Sequence, residues 1–376
     1  MRQLPRMTRR ALLALLPALL LATLAAPARA GITVTDLTGH RIQLEQPARR
    51  LLISDGRFLL ALSLLHPRPV SLLAAWPRDI HRIGPDVYAQ LQAAEPALAT
   101  LPAVAESEKV QSVEQILATR PDLAVFPLGA NLPPEQRAAI EAAGIPVLTI
   151  DFFTHPLANV NPSLRLLGQV IGADDQAERL IAFREAHLKR ISDAVAGLPA
   201  SARPKVFLEP HAGMTEECCP SPGNGNIGEY IEFVGGRNIG RAAIPTATGR
   251  LSLEYILTQA PEVYIATGGP HMARRQGVVL GPGFTAEQAR ASLARILTRP
   301  GFADLPAVRH GRVHALAHQM LNSPLDILAL EELAKAIHPD LFESINLDQT
   351  KQTIEADFST TKINGLFWID PPIGGM

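Results

Sequence analysis

One segment of this chain occurs twice. Residues 112–123 have the sequence SVEQILATRPDL, and residues 252–263 have the sequence SLEYILTQAPEV. In each copy a serine precedes a short apolar helical pattern, a proline follows it, and a second apolar run comes next. Serine is a preferred N-cap residue and proline ends helices, so each copy predicts a short helix followed by a buried strand. The repeat therefore predicts two similar α/β lobes, and a cleft between two lobes is a common place for a ligand.

Length and composition exclude several classes of protein. The chain has 376 residues, enough for two domains with ordinary cores, and its hydrophobic content of 47% excludes a disordered protein. The formal net charge of −1 does not favour a nucleic-acid partner. The G-x-S-x-G, Walker and H-E-x-x-H motifs are absent from the sequence, so nothing in it points to an enzyme.

The N-terminal residues 1–30 have the pattern of a signal peptide. Four arginines precede an apolar run at 11–26, and Ala-Arg-Ala at 28–30 offers a cleavage site. The pair Arg9-Arg10 also matches a twin-arginine signal, so the general secretory and twin-arginine routes both stay open. No cysteine follows the apolar run, so we expect a soluble periplasmic protein without a lipid anchor.

Alternating strand and helix patterns predict mostly parallel sheets. We expect an N-terminal lobe at 31–160, a connecting helical segment at 161–200, a C-terminal lobe at 201–337 and a C-terminal extension at 338–376. The connecting segment contains one long helix, from about residue 173 to residue 196, because its apolar residues recur at helical spacing. A single stiff helix limits hinge motion, so only modest closure of the lobes is expected.

Further motifs carry a family resemblance. They are Val206-Phe207-Leu208, the sequence GGRNI at 235–239 and the sequence IATGGP at 265–270. Together with the repeated segment, they resemble the periplasmic substrate-binding proteins of ABC importers, of the iron–siderophore and cobalamin type with a TroA-like fold. The resemblance implies a monomeric protein that captures a ferric siderophore or a similar iron chelate. The iron would arrive as part of the transported ligand, with no resident cofactor.

The same resemblance implies delivery of the ligand to an inner-membrane permease. One surface glutamate on each lobe docks on the permease in this family, and the matching positions are Glu114 and Glu254. Haem, cobalamin and an oxyanion such as molybdate remain alternative ligands. An exported enzyme with dispersed catalytic residues is a weaker alternative.

Candidate ligand-binding residues fall mainly at the predicted strand ends, where loops line a cleft. Arginines with aromatic side chains suit a planar or anionic chelate, and histidine or methionine suits a soft metal or haem iron. Their spacing matches no zinc motif, so no metal site is assigned. The candidates are Arg57, Trp76, Arg78, Phe126, Phe152, His211, Met214, Arg250, His271 and His318.

Two local features stay open. The sequence GNGNIG at 223–228 matches a dinucleotide-binding pattern, but Pro-Ser-Pro and not a strand precedes it. It predicts either a loop whose amides face an anion or simple punctuation before a helix. The adjacent Cys218 and Cys219 are predicted to form a vicinal disulfide at the cleft rim, with intermolecular pairing or free thiols as alternatives.

Overall fold

The computed structural model describes residues 31–215 and 219–370. The expected signal peptide and Cys218 lie outside the described residues, so the signal and the vicinal disulfide stay predictions. None of the helices in the described ranges has the length and apolar character needed to cross a membrane.

The first lobe begins with an antiparallel hairpin and continues into a parallel sheet. Its strands are β1 (Ile32–Thr35), β2 (Arg41–Leu44), β3 (Leu51–Ile53), β4 (Leu73–Ala75), β5 (Leu123–Pro127) and β6 (Val147–Ile150). Its helices are α1 (Arg57–Leu65), α2 (Ile80–Ile83), α3 (Pro85–Ala94), α4 (Val113–Ala118) and α5 (Pro134–Ala142). The parallel sheet has the order β4-β3-β5-β6. The residues of all four strands are buried, and all of them except Thr149 are apolar. Continuous apolar strands of this kind are typical of parallel sheets that are covered on both faces.

Two helices follow the first sheet, α6 (Pro156–Ile171) and α7 (Asp174–Val195), and the long α7 leads into the second lobe. Gly172 separates them in the left-handed conformation, with φ of 71°, which glycine adopts at little cost. The 22 residues of α7 span about 33 Å at ~1.5 Å per residue. The buried Arg184 of α7 forms an ion pair with Asp326 of the second lobe, and this pair fixes the helix to that lobe.

The second lobe repeats the α/β arrangement. Its strands are β7 (Lys205–Glu209), β8 (Pro220–Pro222), β9 (Arg237–Asn238), β10 (Thr248–Arg250), β11 (Val263–Gly268) and β12 (Val313–Ala317). Its helices are α8 (Ile227–Phe233), α9 (Leu253–Gln259), α10 (Ala286–Leu297), α11 (Pro306–Arg309) and α12 (Asp326–Ile337). Strands β12, β11, β7 and β9 are parallel neighbours in that order, and β8 pairs with β10 in a separate antiparallel ribbon.

The C-terminal extension contacts both lobes. It contains α13 (Leu347–Asp357) and β13 (Trp368–Ile369), and β13 pairs antiparallel with β12 at the edge of the second sheet. Between these elements, the backbone N–H of Lys362 donates to Gln90 Oε1 at 2.7 Å, and Gln90 Nε2 donates back to the Lys362 carbonyl at 3.0 Å. The N–H of Thr360 also donates to the Ser63 carbonyl at 3.1 Å. The extension therefore ties the first lobe to the second sheet.

The repeated segments form equivalent structures. Ser112 caps α4 by accepting the N–H of Gln115 at 3.2 Å, and Ser252 caps α9 by accepting the N–H of Tyr255 at 3.1 Å. Each helix leads into a buried central strand, β5 in the first lobe and β11 in the second. The predicted fold class is confirmed: two α/β lobes with mostly parallel sheets are joined by one long helix.

Candidate functional site

A cleft of about 500 Å³ lies between the two lobes. This volume falls within the roughly 300–1,000 Å³ that is usual for small-molecule sites. Its lining comes from loops and helix starts that follow strands of both sheets, as expected for ligand sites in parallel α/β folds. The first lobe contributes Arg57, His81, Arg82 and Phe153, and the second contributes His211, Met214, His271, Arg275, His318, Gln319 and Asn322.

Three histidines from successive strand ends of the second lobe meet in this cleft. His211 follows β7, His271 follows β11 and His318 follows β12. The His211 and His318 rings lie 3.7 Å apart between centroids, and His271 Nε2 lies 3.0 Å from His211 Nδ1. A hydrogen bond to β11 orients His318, since its Nδ1 lies 2.9 Å from Thr267 Oγ1. The His211–His271 hydrogen bond uses one nitrogen of each ring, so each ring keeps a second nitrogen for a ligand.

The histidines favour the neutral form. Burial, together with the neighbouring His271 and His81, lowers the pKa of His211 to about 4. Burial also lowers the pKa of His271, and it lowers that of His318 well below the usual value. A neutral imidazole is the form that binds metals, so these rings need not lose a proton to do so at neutral pH.

The arginines of the first lobe are partly neutralised. Arg57 holds the buried Asp55 through a two-point ion pair, with Nε–Oδ1 at 2.8 Å and Nη2–Oδ2 at 2.5 Å. Arg82 also contacts Asp55, at 3.0 Å, and pairs with Glu108. Burial opposes the ionisation of Asp55, but the two arginines hold its pKa below the ordinary value. Arg275 on the opposite side is exposed, and among the described residues that line the cleft none is Asp or Glu.

The glycine-rich loop at 223–228 joins the lobes and does not open to the cleft as an anion site. Asn226 of this loop donates its N–H to the Thr154 carbonyl at 2.9 Å and its Nδ2 to the Phe153 carbonyl at 2.6 Å. It also contacts Asn322 Oδ1 at 3.1 Å. Asn226 is 1% exposed and has a φ of 51°, an unusual conformation that these contacts hold in place. The loop therefore aligns Phe153 and Asn322 within the cleft.

The structure brings together half of the predicted binding residues. Arg57, His211, Met214, His271 and His318 line the cleft. The other five do not line it, and three of them are core residues. Trp76 is 1% exposed and stacks on Tyr88, since the chain after β4 stays beside the sheet through a bridge to Ala103.

The two phenylalanines need the same correction. Phe126 lies on β5 and Phe152 follows β6, and each is 1% exposed. Phe126 belongs to a small core cluster of the first lobe, and Phe152 packs edge-on against Phe58. Its neighbour Phe153 is the aromatic residue that reaches the cleft, where Arg57 lies 5.2 Å from its ring centroid.

The remaining two arginines are also placed outside the lining. Arg78 is exposed, and its guanidinium donates to the Leu101 carbonyl at 2.5 Å. Arg250 ends β10 and is exposed as well. Conversely, the sequence interpretation omitted His81, Arg82 and Arg275. The sequence PRDIHR at 77–82, directly after a predicted strand, is the one signal that could have indicated the first two.

Comparisons with known proteins decide the family. A family model described as periplasmic binding protein matches residues 62–320 of this chain. The chain belongs to the periplasmic binding protein family. This periplasmic binding protein is 23% identical over 235 residues to the uncharacterized ABC transporter substrate-binding lipoprotein YvrC of Bacillus subtilis strain 168, a match that covers 62% of this chain and 67% of the relative.

Solved structures agree with this periplasmic binding protein in fold. The TroA-like periplasmic binding protein FepB from Veillonella parvula has a TM-score of 0.80 at 23% identity, covering 90% of this chain and 99% of that chain. The molybdate periplasmic binding protein MolA of a Haemophilus influenzae ABC transporter has a TM-score of 0.69 at 18% identity, covering 89% and 99%. The protein is thus a periplasmic binding protein with a TroA-like fold.

Glu114 and Glu254 occupy matching positions outside the cleft. Each is exposed in the first turn of the short helix that precedes the central strand of its lobe, α4 or α9. The pKa of Glu114 lies below its usual range because its own N–H and the Ser112 hydroxyl hydrogen-bond the carboxylate. Both carboxylates are therefore available to a partner as surface anions.

Proposed function

We propose that this periplasmic binding protein captures an anionic metal chelate, a ferric siderophore or a similar iron chelate, and delivers it to an inner-membrane permease. The observation that carries the proposal is the lining of the cleft. Arg57, Arg82 and Arg275 bring positive charge, and three neutral histidines bring nitrogen donors, with no carboxylate among the described lining residues. Cation and donor groups together suit a ligand that is anionic at its edge and metallic at its centre.

The arginines on the two sides of the cleft differ in how much of their charge is free to bind an anionic ligand. Asp55 already neutralises part of the charge of Arg57 and Arg82. Arg275 is exposed, and no ion pair joins it to an acidic group within the described ranges. Arg275 is therefore the cation with most to gain from an anionic ligand, through charge-assisted hydrogen bonds. One of the two rings donates in the His211–His271 hydrogen bond, so the second nitrogen of that ring keeps a lone pair and can contact the metal if the chelator leaves a coordination position open.

The alternative ligands use this lining less completely. Molybdate, the ligand of the structurally similar MolA, would engage the arginines but leaves the histidines and Met214 without a metal-directed role. Haem would use a histidine as an axial ligand and arginines for its carboxylates, so it stays the nearest competitor. A catalytic role has no comparable support, and we propose a binding protein and not an enzyme.

We propose that the protein is a periplasmic monomer and that both of its lobes contact the permease when the ligand is delivered. Glu114 and Glu254 would meet cationic pockets of the permease. The described residues include only three large hydrophobic side chains that are exposed, and two of them flank these glutamates in sequence: Val110, 69% exposed, and Leu257, 37% exposed. An anion with an exposed apolar residue within four positions of it in each lobe suits a protein partner, since both interactions contribute to docking.

The ligand assignment can be tested by calorimetry on the purified protein. Calorimetry is preferred to tryptophan quenching because neither Trp76 nor Trp368 lines the cleft. The probes are the ferric complex of 2,3-dihydroxybenzoate, haem and molybdate. We expect the ferric complex to bind and Arg275→Ala to weaken its binding about ten- to a hundred-fold, since a charge-assisted contact contributes roughly 1.5–3 kcal/mol. The exposed neighbour Arg274, which does not line the cleft, supplies the control Arg274→Ala, with unchanged affinity.

The histidine contribution is measured in the same series. His271→Ala should change the visible absorption band of the bound ferric complex, and His310→Ala, at an exposed position away from the cleft, should not. Haem binding that depends on His271 but not on Arg275, without binding of any ferric chelate, would replace the siderophore assignment by haem. Binding of molybdate alone would refute the metal-directed role of the histidines.

A further inference from the structure

A second group of potential metal ligands lies in the second lobe, away from the ligand cleft. It consists of His314, Glu332 and Asp370, whose ligand atoms all lie within 4.8 Å of one another. His314 lies near the start of β12, whereas His318 of the cleft follows its end. The two histidines are four positions apart in sequence, which corresponds to about 13 Å along a strand at ~3.3 Å per residue. The two sites are therefore distinct.

Three elements of the fold produce this group. The pairing of Ala315 with Ile369 in β12 and β13 places Asp370, the next residue, opposite His314. His314 Nδ1 lies 3.2 Å from Asp370 Oδ1. Glu332 reaches the same point from α12, which packs on β12. The ligands thus come from a strand, a helix and the C-terminal extension.

Glu332 supplies an independent observation. Its residue is 2% exposed, and both carboxylate oxygens are buried without a hydrogen-bond partner. A buried carboxylate without partners is costly, so this side chain needs a proton or a cation beside it. The charge of Lys335, one turn along α12, partly offsets that of Glu332, but no ion pair joins the two side chains within the described residues, since Lys335 Nζ donates to the Ile345 carbonyl at 2.9 Å.

We propose that His314, Glu332 and Asp370 form a zinc site that fixes the C-terminal extension to the second lobe. One imidazole nitrogen and two carboxylate oxygens are ligand types that Zn²⁺ accepts in tetrahedral sites. The Asp370 side chain is 62% exposed, so water has access to the fourth position. Because β13 has only two residues, a metal at its end would add a strong link between the extension and the sheet.

The main competitor is a proton. Without a metal, burial and the charge of Asp370 raise the pKa of Glu332 to about 8, so a proton shared by the two carboxyl groups would also neutralise the site. The two explanations differ in their response to added zinc. Neither depends on the proposed ligand of the cleft, so failure of one proposal leaves the other intact.

The test is a zinc titration of protein freed of metal with a chelator, in a His211→Ala/His271→Ala background that removes two of the four cleft histidines and leaves His81 and His318. Calorimetry measures Zn²⁺ affinity, thermal unfolding measures stabilisation, and Co²⁺ absorption reports tetrahedral coordination. We expect zinc to raise Tm, since a ligand that binds only the folded state stabilises it. Asp370→Asn should weaken Zn²⁺ at least about ten-fold, as loss of even an outer-sphere partner does.

Asp340→Asn, at an exposed acidic position of the same extension, is the matched control and should leave the affinity unchanged. Glu332→Gln should abolish the zinc effect on Tm, and Asp370→Asn, at an exposed position, gives the answer even if Glu332→Gln fails to fold. Equal zinc affinity in Asp370→Asn and Asp340→Asn would overturn the proposal. A wild-type Tm that zinc does not change would overturn it as well, in favour of the shared proton.

Discussion

The ion pair that fixes the connecting helix to the second lobe allows a quantitative prediction. Arg184 is 1% exposed and Asp326 is fully buried. The guanidinium donates to both carboxylate oxygens, at 2.9 Å and 2.6 Å, and the Tyr230 hydroxyl donates to the same carboxylate at 2.8 Å. In Arg184→Met the carboxylate would stay buried with the tyrosine as its partner. Breaking a buried pair on one side costs about 3–5 kcal/mol, so we expect a loss of that size in the free energy of unfolding.

An exposed pair on the same helix provides the control. Lys189 Nζ lies 2.6 Å from Asp193 Oδ2, with the two side chains 73% and 62% exposed. Lys189→Met should cost less than about 0.5 kcal/mol, because exposed pairs on helices contribute little. Urea unfolding followed by far-UV circular dichroism measures both variants, and the slope of the transition shows whether the unfolded surface changed.

A triple variant separates charge from packing. Arg184→Met, Asp326→Leu and Tyr230→Phe together remove every charged or hydroxyl group of the cluster and keep similar volume. Asn161 loses the Arg184 Nη1 donor, but it is only partly buried and keeps its bond to Glu185 at 3.1 Å. Replacing a buried polar cluster by apolar residues is often neutral, so stability should return to within about 1 kcal/mol of the parent. If Arg184→Met costs under about 1 kcal/mol, or if the triple variant is as unstable as Arg184→Met, the stabilisation does not come from satisfying a buried charge.

Two further predictions concern the docking surface and the cleft. The double variant Glu114→Ala/Glu254→Ala should keep its ligand affinity and lose its stimulation of the importer ATPase. The control Glu287→Ala, at the same position of the capped helix α10, should change neither property. Full stimulation of the ATPase by the double variant would refute the docking assignment. Because the folded-state pKa of His211 is about 4, below the unfolded value of about 6.5, its contribution to stability is present above pH 6.5 and is lost as pH falls towards 4. The loss in the free energy of unfolding is at most about 3 kcal/mol. His211→Asn is the variant to test, because asparagine tolerates the left-handed backbone at this position. It should flatten the dependence of the urea-measured free energy of unfolding on pH between 6.5 and 4, and an unchanged dependence would contradict the lowered pKa.

The fold was predictable from the sequence where local signals act alone. The serine caps and the prolines of the repeated segments define α4 and α9 without any information from the rest of the chain. The long helix α7 was predictable for the same reason, since its apolar spacing continues over 22 residues. These signals lie within a few residues of the structure that they specify.

The cleft was predictable only in part because its lining depends on side-chain direction. Strand ends identified His211, His271 and His318, but they could not tell which of two adjacent aromatic residues faces the cleft. Phe152 points to the core and Phe153 to the cleft, a choice made in a bend after β6 where the Asp151 carboxylate accepts the N–H groups of residues 153–155. Trp76 follows a strand as well, yet Tyr88 of α3 covers it, a tertiary contact that the pattern around Trp76 does not indicate.

Three independent ties between the lobes bear on how ligand binding is signalled to a permease. They are the helix α7, the loop around Asn226 and the C-terminal extension held at Gln90. A hinge needs a few residues that can change conformation freely, whereas α7 is one continuous helix and the other two ties hold backbone groups by hydrogen bonds. A large closure would have to break buried hydrogen bonds at Asn226, so the ligand-bound and ligand-free forms should differ by small rotations. A permease docked at Glu114 and Glu254, as proposed above, would then have to sense a small change in their separation, and two anchoring points on separate lobes measure such a change better than one.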